Sequence, residues 1–190
     1  MGKTKAGPGM RIELRAGSVV IDGYVNTVAW DSRPMRDEKT GKRFVEQIVP
    51  GVFERALKHN EVKLLLNHDS TRVLGSTEMN LKLQEDSTGL RVHAEISDPE
   101  VVQKARENKL RGWSFGFYEM GASEEDMHNG MVRRYVEEME LLEVSIIDER
   151  KMPYYESTGI AAGVEGGTVP APETMEAGNG QIKIKAVGKV

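Results

Sequence analysis

The chain has 190 residues, 38% hydrophobic and 29% charged, with a formal net charge of −4 and no cysteine. That length suits one domain of ordinary size with a substantial core. The acidic balance argues against a general nucleic-acid surface, which needs clustered basic groups, and the lack of cysteine excludes disulfides, thiol catalysis and thiolate metal sites.

In chain order, "MGKTKAGPGM" has no apolar stretch of the kind a secretory signal needs. Ala6 stands where a myristoylation signal has Ser or Thr. "RIELR" and "SVVIDGYVNTVAW" read as strands rich in β-branched residues, and the polar stretch 31–42, with Pro34 and Gly41, reads as a loop. "RFVEQIV" over 43–49 returns to strand, and Pro50-Gly51 punctuates it. Val52, Phe53, Ala56 and Leu57 then recur at helical spacing. "VKLLLNH" over 62–68 is a short buried strand. Its aliphatic run, Leu64 to Leu66, is far too short to cross a bilayer, so a soluble, non-secreted chain without a membrane partner is expected. Met79, Leu81 and Leu83, then Leu90, Val92, Ala94 and Ile96, alternate as a hairpin around "DSTG". Over 97–108, Asp98 as cap, Pro99 in the first helical position and Glu100 in the first turn predict a helix. A strand follows over 111–119, then an acidic loop over 121–130, then one long strand or two over 131–150. From Gly159 onward Gly, Ala, Pro and Glu dominate, and such a segment buries too little to offset its ordering entropy.

Three regions are therefore expected: a flexible start over 1–10, a folded domain over 11–158 and a disordered tail over 159–190. Many short strands with two helices and no regular βαβ alternation predict a mainly β, α+β fold. A closed or nearly closed, largely antiparallel barrel flanked by helices is the expected form.

Three positions carry candidate chemistry. In "LRGWSFGFYEM", period two puts Arg111, Trp113, Phe115 and Phe117 on one face and Gly112, Ser114, Gly116 and Tyr118 on the other. Ser114 thus stands on nearly bare backbone, either as a serine that bonds locally or as a hydroxyl kept clear for a ligand. His68 ends the aliphatic strand and precedes Asp69, Ser70 and Thr71, as a turn cap or as a general base held at a strand lip. His59, His93 and His128 sit in polar surroundings that suit surface roles. Glu143 lies within "LLEVSII", where a carboxylate either meets solvent on a wet face or is paired in a buried one. Alternation would put Leu141, Glu143, Ser145 and Ile147 together. A hydroxyl, an imidazole and a carboxylate are the three parts of a serine-nucleophile triad, and geometry rather than chain order defines one.

The ordered set "VPGVFERAL", "VKLLLNHDSTRVLGS", the hairpin of 81–94, "LRGWSFGFYEM" and "LLEVSIIDERKMPYY" resembles the prohead (capsid-maturation) proteases of tailed bacteriophages. These are distantly related to the herpesvirus assemblin proteases. The resemblance runs from about residue 12 to 157. It maps the histidine of "NHD" to His68, the serine of "SFGF" to Ser114 and the acid of "LLEVS" to Glu143. It implies a β-barrel with surrounding helices, and a serine endopeptidase without a cofactor that acts inside the immature capsid in the host cytoplasm. Viral capsid and scaffold proteins, and the chain itself, are the implied substrates; a homo-oligomer, dimer or higher, is expected. Gly112, Trp113, Phe115 and Gly116 are expected to flank the substrate. Two rivals are a non-catalytic capsid assembly or scaffold module and a metal-dependent phosphoesterase suggested by "NHD". The second needs further His and Asp ligands that the sequence does not offer nearby.

Overall fold

The computed structural model describes residues 10–151, so the tail expected over 159–190 and nearly all of the start expected over 1–10 lie outside the described residues. In chain order the elements are β1 (Arg11–Leu14), β2 (Val19–Thr27), β3 (Met35–Arg36), β4 (Arg43–Ile48), α1 (Val52–Ala56), β5 (Lys63–Leu66) and β6 (Asp69–Ser76). Then come β7 (Leu81–Glu85), β8 (Gly89–Ile96), α2 (Pro99–Arg106), β9 (Leu110–Asp126) and β10 (Met131–Asp148). The clean alternation of β8 buries Leu90, Val92, Ala94 and Ile96 and exposes Arg91, His93 and Glu95. The predicted cap of α2 is made: the Asp98 side chain accepts from Glu100 N at 3.0 Å and Val101 N at 3.1 Å.

The strands form two sheets. One is antiparallel, in the order β1-β2-β8-β7; the other runs β3-β4-β10-β5-β6, with β9 on the opposite edge of β10. β10 is the axis of the second sheet. β9 pairs antiparallel along most of its length, while the other edge is shared in parallel by β4 over Met131–Val136 and β5 over Glu143–Ile146. The chain leaves that edge between β4 and β5 to form α1. Two β10 carbonyls in the gap are taken by side chains, Glu137 O by the Arg55 guanidinium at 2.9 Å and Leu141 O by Asn60 Nδ2 at 2.8 Å. Backbone acceptors are thus not left idle where the ladder is interrupted.

One core draws on both sheets and both helices, and Trp113, Phe115 and Phe117 of β9 are among its largest fully buried side chains. Phe115 meets Phe53 of α1 edge-on at 5.4 Å and stacks on Phe117 at 5.4 Å.

The structure departs from expectation in three places. The barrel is not closed: among the described residues the two sheets share no ladder. α1 packs against β7 and β10, and α2 against β1, β2 and β9. The acidic stretch expected as a loop over 121–130 continues β9 to Asp126, because its charges find partners across the hairpin. Arg134 bonds Glu124 at 2.7 Å and Arg133 meets Glu125 at 3.4 Å. The helix expected from Val52, Phe53, Ala56 and Leu57 is confined to Val52–Ala56.

At the end of β10 the fully buried Asp148 bonds the Arg150 guanidinium at 2.5 Å and Lys104 of α2 at 3.1 Å. Burial alone would raise this carboxyl; hydrogen bonds from the Arg150 side chain and backbone, Asn67 and Lys104 outweigh it and hold it well below the usual carboxylate range. A depressed native value means stability that is complete above the unfolded value near about 3.9 and lost as pH falls from there towards the native value. Asp148→Asn should therefore unfold at lower urea than wild type at pH 7, with the gap narrowing below about pH 4. An equal gap at neutral and acid pH would contradict this.

Candidate active site

The site begins with a two-residue turn. Asn67 and His68 alone join β5 to β6, with Leu66 paired to Asp69. Both turn residues have positive φ, 55° and 61°, as the tightest twisted hairpin loops require. Asn and His enter that region more readily than most side chains. The C-terminal end of β10 and the residues just after it fasten the turn. Asn67 N donates to Ile146 O at 2.9 Å, and Asp148 N donates to Asn67 Oδ1 at 3.1 Å. Lys151 Nζ donates to Asn67 O at 2.8 Å, and His68 N donates to Ser145 Oγ at 3.0 Å. The His68 side chain, 5% exposed, is thereby held over β10.

Glu143 reaches the histidine because β10 is irregular. The register shifts between Leu141, opposite Phe117, and Glu143, opposite Gly116. Leu142 is the extra residue of a bulge, and one extra residue moves the remainder of the strand to the other face. Leu141 consequently joins the core with Val144 and Ile146, whereas strict alternation puts it beside Glu143. Glu143 instead lies on the face of Ser145, Gly116 and Ser114. Its Oε1 is 2.6 Å from His68 Nδ1, and its Oε2 accepts from Ser145 Oγ at 2.5 Å. A carboxylate has no hydrogen to give, so Nδ1 is the donor; in the neutral ring this leaves Nε2 with its lone pair free. Gly116 supplies the room: a Cβ there would collide with Glu143 Oε1.

Ser114 is directly opposite Ser145, a spacing of about 5 Å between Cβ atoms. It is 2% exposed, and its Oγ has no hydrogen-bond partner among the described residues. The structure therefore joins His68 to Glu143 and brings Ser114 to their face, without a hydrogen bond between Ser114 and His68. Of the residues expected to flank substrate, Trp113 and Phe115 point into the core, Gly116 faces the acid, and Gly112 is buried opposite Ile147. Ser145 escaped the sequence reading as a site residue; its signal was the Glu-x-Ser spacing, which shares one strand face with Ser114. Among the described residues no three His, Asp or Glu side chains group as a metal site, so the ligands a phosphoesterase would need are not gathered around His68 and Asp69. Nor is any helix there long and apolar enough to cross a membrane.

Comparison with known families gives a match over residues 10–168 to the caudovirus prohead serine proteases. No curated protein and no solved structure matches the chain. The match covers most of the sequence, including every residue of the site just described. The chain belongs to the caudovirus prohead serine protease family.

The contact between Gly116 and Glu143 can be measured without any substrate. Gly116→Ala should cost about 1–3 kcal/mol through overpacking. Glu143→Ala should then cost less in the Gly116→Ala background than in wild type, because it removes the clashing oxygen. Additive costs in urea unfolding would show that the two residues do not touch.

Proposed function

We propose that this prohead serine protease cleaves peptide bonds with Ser114 as nucleophile, His68 as general base and Glu143 as the carboxylate that orients the imidazole. The observation that carries the reading is the 2.6 Å bond from His68 Nδ1 to Glu143, since it fixes the tautomer whose Nε2 can accept a proton. As Ser114 Oγ attacks the scissile carbonyl carbon, Nε2 takes the hydroxyl proton, and the carbonyl oxygen gains the electron pair. Collapse of that adduct breaks the C–N bond, and the imidazolium gives its proton to the departing amine. Water, deprotonated by the same Nε2, then opens the acyl-enzyme and restores the serine. Glu143 holds the imidazole in place throughout, bonded to His68 and Ser145.

Gly112 is buried opposite Ile147 in the resting chain, so it would be uncovered together with Ser114 for an extended peptide to lie beside the serine as an added strand. Ser114 is almost fully covered and unbonded in the resting chain, so its cover must open before a peptide reaches it; catalytic hydrogen bonds often tighten only with substrate bound. The substrates in this reading are capsid and scaffold proteins inside the immature capsid, and the chain's own segment over 159–190, with the enzyme working as a homo-oligomer. The covered, unbonded serine is also what favours the one rival, a non-catalytic capsid assembly module.

Intact-mass measurement over a long incubation separates the two. The parent chain should lose C-terminal residues, while Ser114→Ala stays full length, since removing a triad serine costs about 10⁶-fold in turnover. Equal processing of both would end the proposal, and intact parent chain inside assembled capsids would favour the assembly module.

A further inference from the structure

Ser145 is the most enclosed polar side chain at this site, with no exposed surface. Its single hydroxyl makes two bonds of different kinds. It donates to Glu143 Oε2 at 2.5 Å and accepts from the His68 backbone N–H at 3.0 Å. The first is the short bond of a hydroxyl to a carboxylate, about twice as strong as a neutral one. The second satisfies an N–H that a two-residue hairpin loop leaves without a partner of its own, in a residue whose φ is +61°. Hydroxyl, acid and base backbone thus close a ring: Ser145 to Glu143, Glu143 to the His68 ring, and His68 N back to Ser145. Both carboxylate oxygens of Glu143 are occupied, so the group cannot rotate about its own axis without breaking a bond.

We infer that Ser145 is a positioning residue for the proteolytic reaction: through one hydroxyl it sets the orientation of Glu143 and the place of the His68 backbone, and so aims Nε2 at Ser114. It touches neither substrate nor reacting atoms. The inference rests on the reading of Ser114, His68 and Glu143 as the catalytic group. A hydroxyl in this role has a requirement that packing alone would not impose: the side chain must both donate and accept. Alanine keeps the volume nearly unchanged and does neither; threonine does both and suits a strand.

The test treats the full chain with a fluorophosphonate, which reacts with an activated serine, and separates the affinity for the probe from the inactivation rate constant. Imidazole N–H proton spectra are recorded in parallel. In wild type the adduct should map to Ser114, and the His68 Nδ1–H should give a downfield resonance. Ser145→Ala should lower the inactivation rate constant about tenfold to hundredfold, the equivalent of one hydrogen bond to a charged group. Probe affinity should be unchanged, and the His68 resonance lost or moved. Ser145→Thr should recover most of the rate and the resonance. Should Ser145→Ala not fold, Ser145→Cys, which keeps the volume but donates poorly, takes its place with the same expectation. A wild-type rate and resonance in Ser145→Ala would overturn the inference, as would a variant that is merely less stable. If wild type takes up no probe at Ser114, the result favours the assembly module over the protease, and the resonance alone still decides whether Ser145 holds the pair.

Discussion

A carboxylate that serves a histidine cannot share the core face of its own strand, and the site depends on how β10 resolves that conflict. Leu141 belongs in the core and Glu143 does not, yet they are two residues apart, the spacing that in a regular strand would send both the same way. The bulge at Leu142 separates them. It leaves Leu141, Val144 and Ile146 with the aromatic residues of β9 and turns Glu143 outward over Gly116. Bulges recur beside active sites because they re-aim a side chain without unpicking the sheet.

The same strand explains why the histidine can be held at all. β10 is paired on both edges, and the turn that carries His68 is fastened to its last residues by backbone and side-chain bonds. A left-handed pair of residues is not a relaxed state for side chains that bear a Cβ; it persists where surrounding contacts over-determine it. Here Ser145, Asn67, Asp148 and Lys151 do so, and Asp148 is in turn tied to Lys104 of α2. The rigid core and the polar face are two sides of one sheet: Phe115 is locked against Phe53 and Phe117, and its neighbour Ser114 takes its position from that packing.

Much of this was legible in the residues. The β7–β8 hairpin follows from alternation, α2 from Asp98 and Pro99, and the apolar face of β9 from Trp113, Phe115 and Phe117. What alternation could not show was its own interruption: nothing in "ELLEV" marks Leu142 rather than Leu141 as the extra residue, because both are leucine and only packing chooses. Gly116 reads in the sequence as space cleared for substrate, but the occupant of that space is the carboxylate of a neighbouring strand. The acidic stretch of β9 looks like a loop since its pairing partners, Arg133 and Arg134, lie across a hairpin and contribute nothing to local pattern. Barrel closure failed for a related reason, as the sequence shows strands but not which of their edges will pair. Ser145 does not stand out because a serine two residues from an acid is ordinary until its hydroxyl is seen between that acid and a histidine backbone.

The central claim is that imidazole, carboxylate and hydroxyl converge on one face of β9 and β10 to attack a carbonyl. Its most direct test is a crystal structure of the chain soaked with a peptidyl boronic acid, which captures a serine as a tetrahedral adduct. The account predicts a boron–oxygen bond at Ser114, His68 Nε2 within about 3 Å of Ser114 Oγ, and the bond from Nδ1 to Glu143 intact. An adduct on another residue, or one on Ser114 with His68 still out of reach, would contradict it.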